Sequence, residues 1–109
     1  MKIQSETVNP LGIKFFIQEG EKEIARAYLY ILYNDLHKRP FGFLEDVFVD
    51  ENYRGKGIGT TILSAVIDEA KKRGCYKLVC TSRYENEAAH NIYKKLGFRD
   101  HGKEFRLDL

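Results

Sequence analysis

Apolar and polar residues first change their period along this chain at Ile58. Before that point the pattern is one of strands. Lys2 to Val8 alternates loosely and stops at Asn9-Pro10-Leu11-Gly12, a turn by composition. Ile13 to Gln18 then reads as a second strand, closed by the turn Glu19-Gly20-Glu21. Ile24 to Tyr33 is a long β-prone run. A helix competes there, since Ala25, Ala27 and Leu29 tolerate one, but Tyr28, Tyr30, Ile31 and Tyr33 favour a strand. The polar loop Asn34 to Pro40 leads into a fourth strand over 41–49, so the first part of the chain predicts an antiparallel meander.

From Ile58 onward the spacing is helical: Ile58, Ile62, Ala65, Val66, Glu69 and Ala70 fall on one side, Lys71, Lys72 and Arg73 occupy the last turn, and Gly74 is the stop. Tyr76 to Cys80 is a short buried strand. A right-handed crossover through the helix makes 43–49 and 76–80 parallel neighbours. Asn86 caps a second helix that runs to Leu96 and closes at Gly97. Phe98 to Asp100 and Glu104 to Leu109 form a terminal hairpin, with Phe105, Leu107 and Leu109 alternating against Glu104, Arg106 and Asp108. The predicted order is β-β-β-β-α-β-α-β-β, an α+β chain built on a mixed sheet.

Composition removes several functions. A chain of 109 residues is one domain, spanning 1–109. Its net charge of +2 and its dispersed lysines and arginines give no basic stripe, which excludes a nucleic-acid partner. No apolar run approaches the ~20 residues a membrane helix requires, and Met1 to Glu6 lacks the apolar segment of a signal peptide, so a cytoplasmic protein without membrane contact is expected. Cys75 and Cys80 bracket a short apolar run, a spacing that suits neither a metal clip nor a redox pair. His37, His90 and His101 are scattered. No metal is expected.

The chemistry concentrates where the fourth strand passes through Arg54-Gly55-Lys56-Gly57-Ile58-Gly59-Thr60 into the first helix. Glycines at 55, 57 and 59 remove the β-carbons that would hold a ligand off the backbone, and the first amides of a helix have no intrahelical acceptors. A phosphate or pyrophosphate fits such a junction, aided by the helix dipole, Arg54 and Lys56. The dinucleotide fingerprint fails, because Gly55 and Gly57 are followed by Thr60 rather than by a third glycine three positions on. The nucleoside-triphosphate loop fails in every register.

The segment resembles instead the acetyl-CoA signature of the GNAT superfamily of N-acetyltransferases, Arg/Gln-x-x-Gly-x-Gly/Ala. A second stretch, Asn86-Glu87-Ala88-Ala89-His90-Asn91-Ile92-Tyr93-Lys94-Lys95-Leu96-Gly97-Phe98, resembles the family's Asn-x-x-Ala-x-x-x-Tyr-x-x-x-Gly-Phe pattern. Leu44-Glu45-Asp46 ahead of the glycines looks most like the diamine (polyamine) N-acetyltransferases. The likeness covers 24–109 well. It breaks at the N-terminus, where the family places two helices between its first two strands and this chain has the turn Asn9 to Gly12; a partner subunit is one way to complete the acceptor groove.

The resemblance implies acetyl-CoA as cosubstrate and direct transfer of its acetyl group to a primary amine. Val47, Phe48 and Val49 would hold the pantetheine arm through their backbones, at a bulge where the strand diverges from its neighbour. Arg54 to Thr60, including Ile58 and Gly59, would cradle the pyrophosphate. Asn86 would contact pantetheine and Tyr93 its sulfur, as the acid for the departing thiolate. Glu45 would be the base, with partial burial expected to tune it, and Asp46 would help bind a cationic acceptor. The family's alternative base position is Thr81 here, which cannot serve. Plainer readings accompany these: either carboxylate as a solvated strand residue, Arg54 and Lys56 as solvated loop charges, and Ala89, Ile92, Leu96 and Gly97 as core face and stop of an ordinary helix. Two functional alternatives remain, a non-catalytic acyl-CoA-binding module and an adaptor that pairs through its sheet edge. A homodimer is expected, since much of the sheet is left uncovered.

Overall fold

The computed structural model describes residues 1–109. Three strands come first: β1 (Leu11–Glu19), β2 (Lys22–Leu32) and β3 (Phe41–Val49). They form an antiparallel meander in which Leu11 lies opposite Ile31 and Ile31 opposite Gly42. β1 and β2 are joined by the two residues Gly20 and Glu21, and the φ of 64° at Gly20 is the left-handed value that a tight hairpin asks of its first loop residue. The β-branched and aromatic residues of 24–33 win over the helical alternative because their alternation fits a sheet covered on one face. Ala25, Ala27, Leu29 and Ile31 are buried, while Tyr28 and Tyr30 point the other way.

The buried row receives α1 (Ile58–Lys72), which presents Ile62, Leu63, Val66 and Ala70 to it. Ala25 and Ala27 are small, so the helix approaches β2 closely, and Leu29, Ile31, Leu44 and Val66 fill the centre. The helix ends as its sequence predicts. Gly74 has φ 78°, its N–H donates to the Lys71 carbonyl, and the Cys75 N–H reaches back to the Ala70 carbonyl. This pair of bonds satisfies carbonyls that the helix itself cannot.

The crossover returns the chain to β4 (Leu78–Val79), parallel to β3, and the sheet order is β1-β2-β3-β4. α2 (Glu87–Lys95) follows. The mixed sheet with two helices is the expected fold class, but its ends differ from expectation. Residues 1–10 and 98–109 form no strands. In the first segment Ile3 and Val8 are five positions apart, which on an extended chain sends them to opposite faces, and both are exposed. In the second, Phe105, Leu107 and Leu109 do alternate, yet they are 91%, 83% and 114% exposed. The strand beside which such a hairpin would lie, β4, is two residues long where five were expected, and an isolated hairpin is marginal in water.

The shortness of β4 has a cause in β3. One residue of β2, Ala27, separates the pairs Arg26–Phe48 and Tyr28–Glu45, whereas two residues of β3, Asp46 and Val47, separate them. That extra residue is a β-bulge, and Asp46 takes φ 50°, the only non-glycine with a positive φ. The β3–β4 ladder consists of Gly42–Leu78 and Phe43–Val79 and stops there, so β3 from Leu44 onward has no partner on that side. The two strands part like the arms of a V.

Gly42 sits at the root of that V. A β-carbon there would lie 2.9 Å from a Leu78 methyl and 3.0 Å from a Leu29 methyl. Gly42→Ala is expected to destabilise the fold by about 1–3 kcal/mol through overpacking, and by less in a Leu29→Ala background, where one of the two obstructing methyls is gone. Urea unfolding of the four proteins of this cycle tests the coupling; purely additive costs would contradict the packing described.

Candidate active site

Between the arms of the V lies a cleft of about 250 Å³ lined by Leu44, Glu45 and Val47 on the β3 side and by Thr81, Ser82, Arg83, Asn86, Ala89 and Tyr93 on the other. Four residues singled out from the sequence, Glu45, Val47, Asn86 and Tyr93, therefore meet in one place. The remaining ones lie further along the same path, where β3 runs through a one-turn 3₁₀ helix (Glu51–Tyr53) and the glycine turn into α1.

At that turn Gly55 and Gly57 have φ of 76° and 81°, and an added β-carbon at either would meet nothing within 4 Å. The conformation needs glycine, and the space above it is open. From Gly55 to Thr60 no backbone N–H donates to any group of the protein. The first amide to find an acceptor is that of Thr61, which reaches the Gly57 carbonyl at 3.0 Å, joined by the Thr61 hydroxyl at 3.0 Å. Six consecutive free donors at a helix N-terminus are an arrangement to which an anion can bind. Gly59 contributes differently: a β-carbon there would lie 3.7 Å from Val49 and 3.8 Å from Ile92, so its absence lets α1 start close to both β3 and α2.

The side chains around this turn are partly committed. Arg54 donates from Nε to the Val49 carbonyl at 3.0 Å, tying the turn to the end of β3 and leaving its terminal nitrogens free. The Lys56 ammonium lies 5.4 Å from the centre of the Tyr53 ring. Phe48 stacks under the Arg26 guanidinium at 4.8 Å, away from the cleft, so it offers the cleft only its backbone.

Asp46 is held by a two-pronged bond from one residue. Arg26 donates to its two carboxylate oxygens at 2.9 Å and 3.1 Å, and this bond holds the Asp46 carboxyl below the usual aspartate range. Arg26 also pairs with Glu23, which in turn pairs with Lys14. The carboxylate expected to meet a cationic acceptor is thus occupied in holding the bulge. Glu45 differs from expectation too: it is exposed rather than partly buried, because nothing of this chain covers the sheet face that carries Lys14, Phe16, Arg26, Tyr28 and Tyr30.

α2 positions Asn86 and Tyr93. Asn86 caps the helix, its side-chain oxygen accepting from the Ala89 N–H at 3.3 Å, which leaves its side-chain nitrogen to serve as a donor. At the other end Gly97 has φ 99°, the Gly97 N–H donates to Lys94, and the Phe98 N–H donates to the Tyr93 carbonyl at 2.9 Å. The same closure brings the Phe98 ring to 5.3 Å from the Tyr93 ring. Burial, with smaller contributions from Cys80 and Glu45, pushes the Tyr93 phenol up to about 12. It stays protonated at neutral pH and so keeps a proton to donate. Burial also raises the Cys80 thiol to about 11, which removes the thiolate a covalent relay would require.

Sequence reasoning missed Arg26 and the row Ser82-Arg83. A charged residue within the apolar alternation of β2 was the available signal for the first; nothing in the sequence marks the second as a cleft wall.

The Tyr93 shift makes stability depend on pH. A phenol whose folded value exceeds its unfolded value of about 10 contributes stability that is present below pH 10 and lost as pH rises through 12. Between pH 9 and pH 11 the protein should lose about 1 kcal/mol that Tyr93→Phe does not lose. Denaturant unfolding of both proteins at the two pH values checks the difference; equal losses would show that Tyr93 is not buried as described.

Residues 4–98 match the profile of the Acetyltransferase (GNAT) family. Among curated proteins the chain is 41% identical over 71 residues to a glucosamine 6-phosphate N-acetyltransferase of Trypanosoma brucei brucei, a match covering 65% of this chain and 46% of that protein. It is 34% identical over 82 residues to the thialysine N-epsilon-acetyltransferase of Mus musculus, covering 75% of this chain and 48% of the other. Its matches thus span about half the length of these relatives. Of solved structures, an acetyltransferase from Trypanosoma brucei superposes with a TM-score of 0.79 at 34% identity, over 92% of this chain and 69% of that one. The glycine turn, the forked strands and the profile match agree, and the chain belongs to the GNAT family of acetyltransferases.

Proposed function

We propose that this protein is an acetyl-CoA-dependent N-acetyltransferase that acetylates a primary amine, either a small cationic amine or polyamine or an amine of a protein, by direct attack within a ternary complex. The observation that carries this reading is the run of unsatisfied amides from Gly55 to Thr60, joined through the 3₁₀ turn to the unpaired edge of β3. A ligand with an anionic end and an extended amide-bearing arm fits both: the pyrophosphate on the free amides, and the pantetheine arm along β3 as an added strand. Val47, Phe48 and Val49 would hold that arm through backbone groups, and the free nitrogen of Asn86 would donate to it. When bound, the cosubstrate supplies an acetyl group as a thioester.

The protein's own residues then have three tasks. Glu45, on the cleft wall, takes a proton from the acceptor nitrogen, which is mostly protonated at neutral pH. Backbone N–H groups of the β3 edge receive the carbonyl oxygen as negative charge develops on it. Tyr93 enters the reaction neutral and passes its hydroxyl proton to the departing sulfur, which leaves as the thiol, and the phenolate then takes up a proton released by the acylated nitrogen. Asp46 acts on the acceptor through the bulge that it shares with Arg26 rather than by direct contact.

The reading extends to setting and assembly. No helix is long and apolar enough to cross a membrane, and the two cysteines are unpaired, which suits the reducing cytoplasm. The uncovered sheet face with Phe16 50% and Tyr30 36% exposed favours a homodimer, in which a second copy shields it. The whole chain acts in this reading as one catalytic domain.

Two variants test the reading. Gly57→Val should weaken coenzyme A binding by about tenfold or more by calorimetry, since a β-branched residue is strained at φ 81° and intrudes on the open space. Glu45→Gln should lower kcat by about a hundredfold while leaving coenzyme A affinity nearly unchanged. Coenzyme A binding with no thiol release on any amine would instead identify a non-catalytic acyl-CoA-binding module.

A further inference from the structure

The cleft carries opposite chemistry on its two walls. On the β3 side the only polar side chain is the Glu45 carboxylate, which accepts hydrogen bonds. On the facing side Thr81, Ser82, Arg83 and Asn86 present two hydroxyls, a guanidinium and an amide nitrogen, all able to donate. Glu45 and Arg83 are the only charged residues lining the cleft, and they do not pair with each other.

The donors are also unengaged. Among the ion pairs and side-chain hydrogen bonds of the chain, none involves the side chain of Thr81, Ser82 or Arg83. The backbone of Arg83, by contrast, is anchored. The Arg83 carbonyl accepts from the Asn86 N–H at 3.1 Å, in a turn that leads directly into the capped N-terminus of α2. A guanidinium on an anchored turn, beside two free hydroxyls, is suited to a carboxylate or phosphate. The proposed pyrophosphate site lies elsewhere, at the free amides of α1, which leaves this second group of donors open to another negative group.

We infer that the acceptor is zwitterionic, a primary amine carrying a carboxylate or phosphate, with its amine toward Glu45 and its anion on Thr81, Ser82 and Arg83. This rests on the acetyltransferase reading and narrows it, because a polyamine lacks the group that the second wall binds. Direct contact with Arg83 makes it a specificity residue. The charge on each wall also orients the acceptor, since an amine brought to the donor wall would meet like charge.

Matched acceptors provide the test. Glucosamine 6-phosphate against glucosamine isolates a phosphate, and lysine against 1,5-diaminopentane isolates a carboxylate. For each, thiol release gives kcat/KM, and calorimetry on the coenzyme A-saturated protein gives Kd. In at least one pair the anionic member is expected to be favoured by about tenfold or more in Kd, and the favoured pair identifies the anion. Arg83→Gln should bring that ratio close to one, with Arg83→Lys retaining part of it, while coenzyme A affinity stays unchanged. A ratio unaffected by either substitution, no preference in either pair, or a loss of coenzyme A affinity in Arg83→Gln would overturn the inference. Because binding and turnover are read separately, failures separate as well. An Arg83-dependent preference in Kd without turnover upholds the anion wall and removes the enzyme; turnover without preference does the reverse.

Discussion

A strand cannot serve two neighbours once it bends away from one of them, and that constraint organises this molecule. β3 keeps β2 on one side through its full length but leaves β4 after Phe43, just ahead of the bulge at Asp46 and Val47. Holding a non-glycine residue at positive φ is unfavourable unless the surroundings enforce it. Here a two-pronged bond from Arg26 enforces it, and Arg26 is in turn braced by Glu23 and by the face of Phe48. The cleft, the open strand edge and the placement of Glu45 all follow from this one distortion. α1, bedded in the core through Val66 and Leu63, fixes the other end of the path.

The two anion loci differ in how they are made. At the start of α1 the donors are backbone groups, positioned by helix geometry and exposed because glycine has no side chain. In the loop after β4 they are side chains on an anchored turn. A backbone cradle tolerates sequence change around it provided the glycines stay. A side-chain wall can be retuned by single substitutions without disturbing the helix behind it. Under the proposed function, cofactor recognition and acceptor recognition can therefore vary independently.

Much of this was legible in the residues. Helical spacing from Ile58, the stops at Gly74 and Gly97, the cap at Asn86 and the glycine turn are local signals, each with a local cause, and each element formed where it was expected. The ends were not legible, because a strand requires a neighbour as well as an alternating pattern. Phe105, Leu107 and Leu109 have the pattern, and β4 is too short to receive them. Glu45 illustrates a related limit: its position in β3 could be read, but its exposure depends on what covers the sheet. Arg26 was hidden for a third reason, since its role lies in a contact twenty residues away in sequence.

The closing turn of α2 joins two matters usually treated apart. The glycine at 97 lets the chain reverse, and the reversal lays the Phe98 ring against that of Tyr93. A device for ending a helix thereby also fixes the aim of a phenolic hydroxyl. Fraying at that terminus would loosen the Tyr93 ring in the cleft while leaving the free amides at the start of α1 in place, so local folding of the last turn and the shape of the cleft are a single equilibrium.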